Sequence, residues 1–203
     1  MTALKILLGL HVVTGSIALL LGPVPMLSRK GGRVHRKAGF IFSGAMACSA
    51  AAAFVLALVV HSNLLLTIAV LTGFLIFCGV RAPRFRRGAS PHLIDDLACL
   101  LLAGFGFWLL WRGAAPFDVT SIVFGVGSLI LSARQWQQLR SVRPDWLLAH
   151  IAGMGGAYTA TVTAFLVVNI GFLPKPVIFI APTLIGTALI AWTSVRHASR
   201  THL

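Results

Sequence analysis

The chain has 203 residues, 58% of them hydrophobic, with a mean hydropathy of +0.92 and a formal net charge of +13 from 17 Lys and Arg against four acidic residues. Once the apolar runs are set aside nothing remains for a soluble domain, so residues 1–203 are expected to form a single integral membrane domain. Such a charge would suggest nucleic acid in a soluble protein; here it is confined to loops between apolar runs and no nucleic-acid motif accompanies it, which excludes that partner.

Seven runs, at about 3–27, 38–60, 63–81, 93–111, 118–134, 146–171 and 176–195, approach or exceed the roughly 20 residues that cross ~30 Å of hydrocarbon as a helix. The expected class is therefore all-α, a polytopic transmembrane helix bundle with seven spans. Met1 to Gly22 could pass for a secretory signal, but its apolar stretch is too long and its positive flank follows it, so it reads as a retained first helix. Arg29, Lys30, Arg33, Arg36 and Lys37 follow the first run, and Arg81, Arg84, Arg86 and Arg87 the third. Arg134, Arg140 and Arg143 follow the fifth, Arg196 and Arg200 the last, while the alternate side carries only Lys5, Arg112 and Lys175. Short loops rich in Lys and Arg stay in the cytoplasm. The N-terminus is thus expected outside and the C-terminus inside a bacterial inner (cytoplasmic) membrane, with the lipid bilayer, including its anionic heads, as partner.

In chain order, the first span carries His11 on a face with Thr14, Gly15, Ala18 and Gly22, roughly 10 Å deep. It is either a packed hydrogen-bonding residue or an axial ligand. Pro23, Pro25 and Gly31-Gly32 mark a turn, after which His35 stands in Arg33-Val34-His35-Arg36-Lys37 just before the second span. That span is dense in small residues (Ser43, Gly44, Ala45, Ala47, Ser49 to Ala53), as is the sixth (Gly153, Gly155, Gly156, Ala157), so close backbone approach is expected to place both near the bundle centre. His61-Ser62-Asn63 makes the second and third spans a tight helical hairpin.

The fourth span opens on Ser90-Pro91-His92-Leu93-Ile94-Asp95-Asp96-Leu97-Ala98-Cys99, where His92, Asp95, Asp96 and Cys99 share one helical face. These carboxylates either orient an imidazole, bind a metal or carry a proton, or they sit at the helix N-terminus and pair with Arg84, Arg86 or Arg87. The sixth span opens on Asp145-Trp146-Leu147-Leu148-Ala149-His150, with His150 one turn inside. Further out, Tyr158 and Asn169 are nearly eclipsed and form either a polar stripe facing the bundle or interhelical hydrogen bonds. Pro182 falls in the last span, where a kink is tolerable. Cys48, Cys78 and Cys99 fall within spans without paired spacing, so a disulfide framework or zinc ribbon is not expected. His61, His197 and His202 read as surface or tail residues, and no internal repeat is evident.

Polar groups at membrane depth are costly and usually functional. Three of them, His35, His92 and His150, reach one side of the membrane from three helix starts and are expected to converge on one metal or cofactor, with Asp95 and Asp96 as further metal ligands. His92 and His150, matched in depth, are expected to approach each other. The first, second, fourth and sixth spans are expected to form the polar centre and the third, fifth and seventh to face lipid.

His11-Val-Val-Thr-Gly15, Gly22-Pro23 and His35-Arg36-Lys-Ala-Gly39, with the later His150, Tyr158 and Asn169, resemble an uncharacterised bacterial family of predicted multi-pass membrane proteins. That resemblance covers most of the chain and implies a membrane bundle without a particular activity. His150-Ile-Ala-Gly153 followed by Asn169, together with His11, His35 and His92, is similar to the two-haem b-type membrane cytochromes, which implies haem b held by His11, His35, His92 and His150. The helix number and the His/Asp cluster also resemble seven-helix membrane hydrolases that hold zinc by three histidines near an aspartate. The expected activity is thus haem-binding or redox chemistry with a redox partner or small-molecule substrate; the alternatives are a metal-dependent intramembrane hydrolase, with zinc, and a small-solute or proton-coupled transporter.

Overall fold

The computed structural model describes residues 2–115, 117–142 and 145–198, apart from the side chains of Arg87, Lys175, Pro176, Phe179, His197 and Ala198. Of the residues singled out above, Arg143, Arg200 and His202 lie outside the described residues. The described secondary structure is helical throughout: α1 (Thr2–Leu21), α2 (Pro23–Leu27), α3 (Arg33–Val59), α4 (Asn63–Arg81), a 3-10 turn (Ala82–Arg87), α5 (Leu93–Ala114), α6 (Val119–Arg140), α7 (Trp146–Asn169) and α8 (Lys175–Ala198).

Local chemistry sets the boundaries. The expected first span is broken at Gly22-Pro23, because proline at the start of α2 cannot donate into the preceding turn. Gly31 and Gly88, both at φ +74°, turn the chain before α3 and after the 3-10 turn. Ser62 Oγ accepts from Leu65 N at 3.4 Å, Asp118 Oδ1 from Thr120 N at 3.0 Å and Asp145 Oδ1 from Leu148 N at 2.9 Å, satisfying first-turn donors of α4, α6 and α7. Five segments are long and apolar enough to cross a membrane: Thr2–Leu27, Arg33–Val59, Asn63–Arg86, Leu93–Ala114 and Trp146–Asn169. The other two expected spans are helices of 22 and 24 residues, α6 and α8: α6 is not among these five, and the fully described apolar part of α8, Ile180–Arg196, is shorter than a span.

Consecutive long helices run antiparallel, and small residues set their crossings. Between α5 and α6, contacts pair Cys99 with Ser132, Gly106 with Gly125 and Gly113 with Asp118, seven residues apart along each helix, the repeat of a left-handed helix pair. Gly79 of α4 lies against Gly153 of α7 so closely that a Cβ on Gly153 would stand 2.6 Å from the Gly79 nitrogen. At Gly22 a Cβ would collide with the Tyr158 ring, and at Gly186 with Thr159. One core joins α1, α3, α4 and α7 through Ala18, Phe42, Met46, Ile76 and Ala157; a second joins α4, α5 and α6 through Phe74, Cys78, Cys99, Leu102 and Leu139.

The bundle centre thus differs from the expected one. The second and sixth spans, α3 and α7, are central as their small residues imply. The first span, α1, joins them as expected; the remaining companion, however, is α4, and the fourth span (α5) pairs with α6 to one side. The third span was expected to face lipid because it has few polar side chains, yet it buries Thr67, Ala69, Thr72, Phe74, Ile76, Cys78 and Gly79. Tight crossing needs small residues rather than charge, and α4 supplies Gly79 where α7 supplies Gly153.

Candidate functional site

The ends of α1, α4, α6 and α8 and the starts of α3, α5 and α7 share one end of the bundle, which carries most of the Arg and Lys. Here the structure brings together two of the expected residues. His35, in the first turn of α3, and His150, one turn into α7, have ring centroids 6.2 Å apart with planes inclined at 60°. Both rings are half-buried.

Each imidazole is fixed by a backbone carbonyl. His150 Nδ1 lies 2.7 Å from the Gly79 oxygen of α4. In an uninterrupted helix that oxygen would accept from the residue four further on, which is Pro83 and has no N–H. The imidazole therefore fills a vacancy that the sequence creates. His35 Nδ1 lies 2.9 Å from the oxygen of Pro25, near the end of α2, where carbonyls lack intrahelical donors. Lys30 Nζ donates to the same oxygen at 3.1 Å and also to Met26 O. A carbonyl only accepts, so Nδ1 carries the proton in each neutral ring and Nε2 keeps a lone pair. Two oriented imidazoles with both Nε2 atoms uncommitted are chemically a pair of metal ligands or proton acceptors.

The other expected members go elsewhere. His92 stands exposed at the N-terminal boundary of α5, where its backbone N–H donates to Asp95 Oδ2 at 2.8 Å. Asp95, 4% exposed, is taken by Arg81: Nη2 lies 2.7 Å from Oδ2 and Nε bonds Oδ1. Asp96 pairs with Arg140 Nη2 at 2.7 Å. The aspartates are thus neutralised by arginines, though by Arg81 and Arg140 rather than by Arg84, Arg86 or Arg87. Helix α4 ends so close to α5 that its last residue reaches Asp95 first, and the α5–α6 pairing carries Arg140 to Asp96. The set of His35, His92, His150, Asp95 and Asp96 is therefore divided, and among the described residues no three His, Cys, Asp or Glu side chains form a group able to hold a metal ion.

His11 lies on the α1–α3 contact, with Nδ1 3.0 Å from both the backbone oxygen and Oγ of Ser49. It is a hydrogen-bonded packing residue tied to its own neighbour rather than to the pair. Tyr158 turns inward: its hydroxyl donates to Leu19 O at 3.4 Å and its ring meets Phe42 edge-on, 6.2 Å between centroids. Asn169 is exposed and donates to Phe165 O of its own helix at 2.8 Å, so the stripe stops at Tyr158. Along the facing sides of α3 and α7 the contacts run His35–His150, Phe42–Tyr158 and Met46–Thr161, the last a hydroxyl-to-sulfur contact of 3.0 Å. The histidine pair closes this seam at the basic end.

Sequence reasoning gave Gly79, Pro83, Pro25, Ser49 and Arg81 no part in the site. One signal was present: Pro83 four residues after Gly79 announces an orphaned carbonyl that some donor must satisfy. No protein-family model, curated protein or solved structure matches the chain.

Proposed function

We propose that this is an integral membrane protein with seven spans, its N-terminus outside and its basic end in the cytoplasm, and that His35 and His150 are the two protein ligands of one haem b iron with a redox role. The membrane reading is supported by the five long apolar helices and by where tryptophan and arginine meet. Arg112 lies over Trp108, Arg140 over Trp136, Arg86 over Trp146 and Arg196 over Trp192, all near helix ends, as expected of residues at the membrane–water boundary. Two of these pairs belong to α6 and α8. The serines of α6 face inward, Ser121, Ser128 and Ser132 all being buried: Ser132 donates to Cys99 O of α5 at 2.7 Å and Ser128 to Phe124 O of its own helix at 2.8 Å, while Val123, Val126, Ile130 and Leu131 are exposed. From Val119 to Trp136 is roughly 26 Å, close to the hydrocarbon thickness.

The observation that carries the ligand assignment is the separation of the rings. Two imidazoles that shared one metal through Nε2, with bonds of about 2 Å, would have ring centres within about 6 Å; the pair is at 6.2 Å. Anchored Nδ1–H groups are the outer partners such ligands need to hold tautomer and orientation. A bare structural zinc ion takes four protein ligands, and the described residues supply two. A haem completes with two. One turn along α3 from His35, Gly39 leaves open space where a side chain would stand. Haem would supply one-electron chemistry; the chain would hold its iron and keep the carbonyl-bound imidazoles from rotating away. An intramembrane hydrolase would need a carboxylate base, and both candidates are held by arginines.

Visible spectroscopy of protein expressed with haem supply tests the assignment. One haem per chain is expected, lost in His35→Ala and in His150→Ala and retained in His11→Leu and His92→Ala. A colourless wild type, or a haem that survives both of the first two substitutions, overturns it. Topology is tested separately by reporter fusions: those after residues near 32, 86 and 140 report cytoplasm, and those near 62, 114 and 174 periplasm. A periplasmic signal from the loop before α3 overturns the orientation.

A further inference from the structure

The chain has four acidic residues in all, and each has a partner: Asp95 with Arg81 and His92 N, Asp96 with Arg140, Asp118 with Thr120 N and Ser121 Oγ, and Asp145 with Leu148 N. Among the described residues neither Arg84 nor Arg86 closes an ion pair with a carboxylate; Arg84 only feels Asp95, which Arg81 already holds, and both arginines are exposed. They stand on the 3-10 turn Ala82–Arg87, which is built firmly into the fold. Ala82 is buried, Phe85 packs into the α4–α5–α6 core, and Gly88 in the left-handed region ends the turn. At three residues per turn, with Phe85 directed inward, its neighbours Arg84 and Arg86 flank it on the outward side. Trp146, the first residue of α7, completes the arrangement: the Arg86 guanidinium lies 5.5 Å from the centre of its indole ring.

From these observations we propose that Arg84, Arg86 and Trp146 bind the head of an anionic phospholipid. The chemistry of the three groups matches such a head. Planar guanidinium forks take a phosphodiester bidentately, and an indole at the start of a span sits at headgroup level. Two exposed cations outside any ion pair favour a head of net negative charge over a zwitterion. A basic corner between spanning helices on the cytoplasmic side is where such heads are held. The inference rests on the membrane reading alone and is independent of the haem assignment.

Native mass spectrometry of the whole chain in detergent, titrated with phosphatidylglycerol or phosphatidylcholine, tests it. Wild type is expected to retain one phosphatidylglycerol per chain in preference to phosphatidylcholine. The double variant Arg84→Gln/Arg86→Gln should bind it roughly 30-fold more weakly, two interfacial cations having been removed. Arg84→Lys/Arg86→Lys, which keeps both charges, should retain part of the binding, and Arg33→Gln/Arg36→Gln, in the first turn of α3, all of it. Equal retention of the two lipids by wild type, or undiminished phosphatidylglycerol on the Gln variant, overturns the proposal. So does inorganic phosphate that displaces the lipid at comparable concentration, which would mark a site for free anions. Circular dichroism of each variant confirms folding, which both exposed positions should tolerate.

Discussion

The crossing of α4 and α7 holds His150 in place, and Gly153→Ala probes it. The added methyl would lie 2.6 Å from the Gly79 nitrogen and 2.7 Å from both Gly79 Cα and Leu75 O, where real Cβ contacts seldom fall below 3.4 Å. All three obstructing atoms are backbone, so no side chain can swing aside. The helices must separate by up to about 0.8 Å. Overpacking of this kind costs about 1–3 kcal/mol, and weakening the His150–Gly79 hydrogen bond adds about 1 kcal/mol. Alanine returns about 1 kcal/mol through helix propensity. The net expectation is a loss of about 1–3 kcal/mol, between five- and 150-fold in the folded-to-unfolded ratio. Gly44→Ala and Gly73→Ala are the controls: each is helical, and a Cβ there meets nothing within 4 Å. Both should be neutral or slightly stabilising. Unfolding in mixed micelles followed by circular dichroism gives the comparison. If Gly153→Ala is as stable as Gly44→Ala, the backbone contact does not set the crossing and the reasoning fails.

The two ion pairs of the basic end should differ sharply. Asp95→Asn leaves a largely buried Arg81 without its counter-charge and should cost about 3–5 kcal/mol, whereas Asp96→Asn, opposite an Arg140 that is 52% exposed, should cost under about 1 kcal/mol; equal losses in the same micelle assay would contradict the burial argument. The double variant Arg81→Met/Asp95→Leu should recover most of the Asp95→Asn loss, since no unpaired charge remains, and failure to recover would show that the pair does more than neutralise itself. His61, between α3 and α4, has φ +52°, so His61→Gly should stabilise by about 1 kcal/mol. A destabilised His61→Gly would mean that the side chain contributes more than its backbone costs.

What could be read from the sequence divides along a physical line. Apolar runs and the basic loops between them are local properties, and they give the helices and their alternation to within about six residues, the largest difference being at the end of α6, apart from the Gly22-Pro23 break. Hairpin neighbours followed too, because a three-residue link such as His61-Ser62-Asn63 leaves consecutive helices no other arrangement. Choosing which helices share the centre was harder, since charge and size pointed to different ones. Asp95 and Asp96 made α5 look central, but a carboxylate is satisfied by the first arginine that reaches it, and Arg81 ends a neighbouring helix. Gly79 and Gly153, with no polar group to draw notice, decide the matter by letting two backbones touch. The histidines follow the same rule. Equal depth in the membrane cannot say which helix starts adjoin, so His92 looked as good a partner for His150 as His35. The choice is made by carbonyls: Pro83 frees the Gly79 oxygen, Pro25 offers another near the end of α2, and each draws one imidazole to the seam between α3 and α7. His92, at the outer rim of α5, finds no such acceptor at the seam.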